Sequence, residues 1–174
     1  MKKNKSYFEK WISDKKCTLT VPSIGSLIWT FIAAFLGILI VSYIGYETEY
    51  FPLFAPFGAS AVLLYGAPAA PFSQPRSLIG GHLIAAVVGV ITVNLFGANF
   101  IAVAFSVALT IVLTLIAKAV HPPAGATAFL AVTSSGGEFM WIFKPVLFGA
   151  FILLLVALLI NNIDKDKSYP DYWI

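Results

Sequence analysis

The placement of its charged residues constrains this chain more than any other feature. No Asp, Glu, Lys or Arg falls between Lys16 and Glu47, Arg76 and Lys118, Lys118 and Glu138, or Lys144 and Asp164. A helix crosses a bilayer with roughly 20 mostly apolar residues, and each gap is near that length or longer. The gap over 77–117 carries "FGAN" (96–99) as a turn in its middle. With 59% hydrophobic and 11% charged residues, the chain lacks the polar surface of a soluble domain, where about a quarter of residues are charged. It reads as an all-α polytopic membrane protein surrounded by lipid, with no nucleic-acid partner. The short alternating segments of a membrane β-barrel are absent.

Residues 1–22 read as a cytoplasmic interfacial segment. Tyr7, Phe8, Trp11 and Ile12 interleave with lysines there, a pattern of short helices on an anionic leaflet; a solvated tail is the alternative. The apolar run that follows has no small-residue cleavage site, so it is expected to stay as a span. Residues 23–163 form the transmembrane domain, and 164–174 a cytoplasmic tail. Cys17 is the only cysteine, which rules out an internal disulfide.

Within 23–163 the segments alternate. A long helix over 23–46 precedes "PLFAPFGASAVLLYGAPAAPFSQP" (52–75), in which five prolines leave only Gly58 to Tyr65 smoothly helical. Long apolar stretches follow at 76–97 and 99–120. A second broken stretch, "AVHPPAGATAFLAV" (119–132), precedes a last helix from Pro145 to Ile160. "PFGASAVL" (56–63) and "PAGATAFL" (123–130) share P-x-G-A-[S/T]-A-x-L at an offset of 67. The chain is therefore expected to hold two repeats, about 23–97 and 98–163, each long helix, broken short helix, long helix. Such duplication is common in transporters.

Basic residues tend to stay cytoplasmic. If both broken segments cross, giving six membrane segments and inverted repeats, then the N-terminal lysines, Arg76, Lys118, Lys165 and Lys167 share the cytoplasmic side. Glu47, Glu49 and Glu138 then face outward, and Lys144 is the one discordant cation. Four crossings would put Arg76, Lys118 and Lys144 outside. The expected setting is a bacterial cytoplasmic (inner) membrane with both termini in the cytoplasm.

Irregular backbone survives at membrane depth only inside protein or beside water. Pro122 and Pro123 cannot donate to a continuing helix, so the helix through Ala117 should stop near His121, and a new one should start at the prolines. The amides of Ala124, Gly125 and Ala126 would then be free, at the positive end of the helix dipole, to receive a small anion. The same reasoning applies to Phe57, Gly58 and Ala59 after Pro56. Ser60 and Thr127 would add hydroxyls. A kinked helix closely packed through Gly and Ala is the bland alternative.

His82 and His121 are the only histidines. Ionisable groups inside a membrane face the bundle interior or a cavity, so both are candidates for the pathway or for proton coupling; a neutral ring bridging two helices is the plainer role. His82 lies one position from a Gly81–Ala85–Gly89 stripe that should make a tight helix contact. Ser106, Thr110, Thr114 and Lys118 recur every fourth residue and share a helix face. Lys118 is either a guide for anions or an interfacial anchor, and Arg76 divides the same way. Two histidines without a nearby carboxylate or thiol set make a poor metal site, and no cofactor is expected.

"HPPAGATAFLAV", "FAPFGASAVLLYGAP" and "QPRSLIGGHLIAAVVGV" together resemble the HPP family of integral membrane proteins over roughly residues 20–163. The family takes its name from the motif that stands here as His121-Pro122-Pro123. Chloroplast and cyanobacterial members carry nitrite, so the resemblance implies a transporter or channel for a small monovalent anion, nitrite first. A pore for small neutral solutes and a non-transporting structural or regulatory subunit are the alternatives. No enzyme is expected, because all eight acidic residues lie in loops or tails and leave a Ser–His pair without an orienting acid. A homo-oligomer is plausible.

Overall fold

The computed structural model describes residues 17, 18, 20–48, 54–165 and 167–174; the interfacial segment expected around Tyr7, Phe8, Trp11 and Ile12 lies outside them. Among the described residues all regular structure is helical. Six α-helices follow one another: α1 (Ile24–Thr48), α2 (Phe54–Ala61), α3 (Pro75–Phe96), α4 (Phe100–Ile116), α5 (Ala124–Ser134) and α6 (Phe148–Ile160). Wide π-type turns extend α2 over Val62–Gly66 and precede α6 over Ile142–Leu147.

Among the described residues, three helices are long and apolar enough to cross a bilayer: Ile24–Glu47, Pro75–Phe96 and Ile142–Ile160. The shorter apolar helices are Ala55–Gly66, Phe100–Ile116 and Ala124–Ser134. An 11-residue helix such as α5 rises only about 16 Å, roughly half of the bilayer's ~30 Å hydrocarbon core. In each half a short helix stands between two longer stretches of helix, α2 between α1 and α3, and α5 between α4 and the helix over Ile142–Ile160.

Three boundaries differ from the sequence reading, each for a local reason. α2 starts at Phe54 rather than near Gly58, because a proline within the first helical turn has no helix bond to lose. α4 stops at Ile116 rather than near His121: Lys118 adopts φ +52°, and the Ala119 amide turns back to Thr114 O at 2.9 Å. The last helix does not begin cleanly at Pro145. Lys144 is extended (φ −118°, ψ 113°), as expected of a residue crowded by a following proline, and regular α-helix resumes only at Phe148.

Packing exchanges the halves. α5 runs along α3 and α2 packs on α6, so each short helix lies against a long helix of the other half; α3 also packs on α4 and α6 on α1. Glycines make the close contacts. A methyl added at Gly81 would lie 2.6 Å from His121 Cβ, and one at Gly89 would strike Ala131 and stand 2.9 Å from Ala128 O. Gly149 on α6 faces the ring of Phe57, and Gly37 on α1 faces Tyr65. The expected Gly81–Ala85–Gly89 contact is thus the α3–α5 seam. Phe31 and Phe35 on α1, Phe100 and Phe105 on α4, and Phe148 and Phe151 on α6 are all exposed, an apolar outer surface suited to lipid.

Asparagines close the ends of this exchange. Asn94 Nδ2 donates to Gly137 O at 2.8 Å, and Asn161 Nδ2 donates to Leu64 O at 2.9 Å. The two asparagines are again 67 apart. Beyond α6 the tail folds onto the α2–α3 connection. Tyr169 Oη donates to Ser73 O at 2.8 Å, the Asp171 amide to Gln74 Oε1 at 2.9 Å, and Lys167 Nζ to Thr30 Oγ1 at 2.7 Å.

Candidate functional site

Where the two halves cross, four polar side chains from four stretches of the chain meet. Ser60 comes from α2, His82 from α3, His121 from the break after α4, and Thr127 from α5. Ser60, His82 and Thr127 are fully buried and His121 is 2% exposed. α3 brings His82 in because the neighbouring Gly81 lets the break approach so closely; α2 brings Ser60 in on its buried face, next to Phe57 and Ala61.

Ser60 Oγ lies 3.0 Å from His82 Nε2 and 2.9 Å from His121 Nε2. It is also 2.9 Å from the Pro56 carbonyl oxygen. His82 Nδ1 lies 2.8 Å from Thr127 Oγ1, and His121 Nδ1 lies 2.7 Å from Phe72 O. The imidazole centroids are 4.9 Å apart at 61°, and Phe57 meets His82 edge-on at 5.6 Å. A carbonyl oxygen only accepts, so His121 Nδ1 carries a hydrogen. If that ring is neutral, its Nε2 must accept, and the rest of the chain is fixed. Ser60 donates to His121 Nε2, His82 Nε2–H donates to Ser60, and Thr127 donates to His82 Nδ1. One direction of donors satisfies every side-chain nitrogen and oxygen of the cluster, as burial requires.

The sequence singled out all four of these residues, but it expected backbone amides to be the anion's partners. The amides after the prolines are instead occupied. Ala124 N donates to His121 O at 2.8 Å, Gly125 N to Pro122 O at 3.2 Å, Ala126 N to Pro123 O at 3.1 Å and Thr127 N to Pro123 O at 3.2 Å. A tight first turn closes on the carbonyls that the two prolines leave behind. Because α2 begins at Phe54, the amides of Gly58 and Ala59 sit where helix bonds reach back to the first turn. On the α5 side, side chains rather than free amides make this site polar.

The other candidates divide. Pro56 supplies the carbonyl beside Ser60, Phe57 meets His82 edge-on, and Ala124 packs under Gly81 with Ala85 and Ala128. Pro123 is buried, while Gly58 and Gly125 are half-buried and Ala59, Pro122 and Ala126 are exposed. On α4, Ser106, Thr110 and Thr114 all face inward. Ser106 Oγ donates to Ala128 O at 3.4 Å and Thr114 Oγ1 to Ile111 O at 3.0 Å. Thr110 Oγ1 is buried without a hydrogen-bond partner among the described residues. Lys118 is exposed, outside the cluster. Arg76 holds Ala117 O at 2.8 and 3.3 Å and so fixes the start of the break. Phe72, whose carbonyl sets the tautomer of His121, escaped the sequence reading; a backbone acceptor leaves no mark in side-chain chemistry. The asparagine pair also went unread, although the offset of 67 would have found it.

Among known proteins, the model of the HPP transmembrane region matches residues 19–170. Two transmembrane proteins of Dictyostelium discoideum are similar, one 42% identical over 181 residues and the other 38% identical over 178. The alignments cover 96% of this chain but 63% and 57% of those relatives, so the chain spans about three-fifths of their length. No solved structure matches it. This chain belongs to the HPP transmembrane family.

Proposed function

We propose that this HPP-family protein carries a small monovalent anion across the membrane, passing it through the Ser60–His82–His121–Thr127 cluster. One observation supports this above others: the only buried histidines of an apolar bundle meet the equivalent hydroxyls of both halves at the crossing of the two short helices. Transporters built from repeats place their sites at such midpoints, beside broken helices. The resemblance of "HPPAGATAFLAV" to nitrite-carrying relatives makes nitrite the first cargo to try. Nitrite's two oxygens could accept from Ser60, Thr127 and an imidazole N–H in place of the bonds these groups make to one another. The reading includes no catalytic step, and it takes the repeats as inverted, with both termini on the cytoplasmic side.

The test is nitrite uptake by proteoliposomes containing wild type, Thr127→Val or His121→Ala protein. Uptake above protein-free liposomes that drops in both variants supports the reading. Undiminished uptake in both removes the cluster from the pathway. A cluster of neutral groups also suits a small uncharged solute. Flux of glycerol or urea without nitrite flux would favour that second reading, and no flux of any solute would favour a structural subunit.

A further inference from the structure

From the two acceptors within reach of Ser60 Oγ, we infer that the Ser60–His121 pair is a proton-binding site and that the anion crosses with one proton. This rests on the reading of the cluster as the anion site.

The amides at the start of α5 are already bonded to His121 O, Pro122 O and Pro123 O, so the end of α5 offers no free donors. An anion desolvated among Ser60, His82 and Thr127 needs a positive partner, and the side chains that touch the two rings do not include one. Facing His82 are Ser60 and Phe57 from α2, Thr127 from α5, and His121. Facing His121 are Ser60, the Phe72 carbonyl, and Gly81 and His82 from α3. Among the described residues, the only titratable group facing either ring is the other ring. Arg76 is engaged with Ala117 O, and Lys118 is exposed.

The geometry accommodates one added proton without moving a heavy atom. In the neutral arrangement the Ser60 hydrogen points to His121 Nε2, 2.9 Å away. When a proton from water binds the Nε2 lone pair, His121 becomes an imidazolium that donates at both nitrogens, to Phe72 O and to Ser60 Oγ. The Ser60 hydrogen then rotates to Pro56 O, also 2.9 Å away. Before the anion arrives Ser60 receives from both imidazoles and donates to the carbonyl; a bound anion takes that hydrogen in place of Pro56 O. No covalent heavy-atom bond forms or breaks, and the proton remains on His121 until it is released on the other side. An imidazolium alone, or an anion alone, would be an unpaired charge in the bundle; together they are neutral, and that ties the two movements together.

The experiment uses proteoliposomes enclosing a pH-sensitive dye, with a nitrite gradient directed inward at neutral pH and protein-free liposomes subtracted. Wild type is expected to acidify the lumen by one proton per nitrite, at a rate unchanged when a potassium gradient and valinomycin impose a membrane potential. His121→Gln, which keeps a polar group but cannot hold the proton, is expected to slow uptake about tenfold, the loss of one charge-assisted contact. Nitrite uptake that follows the imposed potential and leaves the lumen pH unchanged would overturn the inference while sparing the anion site. Absence of any protein-dependent nitrite flux would overturn both.

Discussion

Ser60 and Thr127 stand 67 residues apart and hold opposite nitrogens of a single imidazole, that of His82, at 3.0 and 2.8 Å. The duplicated motif P-x-G-A-[S/T]-A-x-L thus delivers equivalent hydroxyls to one ring that has no counterpart: 67 residues after His82 the chain has Gly149, and there the ring of Phe57 takes up the space. Similar halves make an asymmetric centre.

Thr127→Val keeps the shape of the side chain but leaves His82 Nδ1 buried without a donor. The expected cost is about 1–3 kcal/mol of stability, roughly 2–4 °C of thermal midpoint for each kcal/mol in a chain of this size. Thr127→Ser, which restores the hydroxyl, should recover most of both stability and flux. A thermal shift in detergent checks the first effect and nitrite uptake the second. Equal behaviour of the Val and Ser variants would show that the hydroxyl has no part in either.

Gly89→Val tests the seam between α3 and α5. Its side chain would meet Ala131 and the backbone oxygen of Ala128, and a backbone atom cannot step aside as a flexible side chain can. Overpacking of this kind costs about 1–3 kcal/mol. Gly58→Ala on α2 meets nothing within 4 Å and should leave the melting temperature nearly unchanged. Comparison of the two variants separates close packing from a general intolerance of added methyl groups.

The seam was legible in the sequence, because small residues every fourth position leave a strip on which another helix can sit. So were the breaks, since proline chemistry is local. The fate of the freed amides was not. Whether Ala124 N points to an anion or to His121 O depends on how tightly the first turn winds, and a one-residue change in turn type moves every donor. Thr110 was placed on one helix face with Ser106 and Thr114 by its spacing, yet nothing in that spacing says whether its hydroxyl finds an acceptor. The Phe72 carbonyl became visible only once the α2–α3 connection had been folded over the break.

The tail offers a prediction in pH. Burial raises the pKa of the Tyr169 hydroxyl above the ordinary value of 10.0, so it stays protonated and keeps donating to Ser73 O. A group whose folded pKa is raised contributes stability that is fully present below the unfolded pKa and fades as pH climbs through the folded one. Tail docking should therefore be constant through neutral pH and weaken only in strong alkali. Tyr169→Phe should cost about 1 kcal/mol at neutral pH and should flatten the alkaline decline of the thermal midpoint. An alkaline decline as steep as that of wild type would assign it to another group.

The arrangement of hydrogens around the two histidines can be read directly. The chain has only two, so ¹⁵N-histidine labelling in lipid bilayers gives two ring systems, assigned with a His82→Gln sample. Without nitrite, His82 should be the Nε2–H tautomer and His121 the Nδ1–H tautomer, both neutral. With saturating nitrite at the same pH, His121 should show two protonated nitrogens while His82 keeps its single hydrogen. Opposite tautomers at rest, or ring signals that nitrite leaves untouched, would contradict the cluster as the place where anion and proton meet.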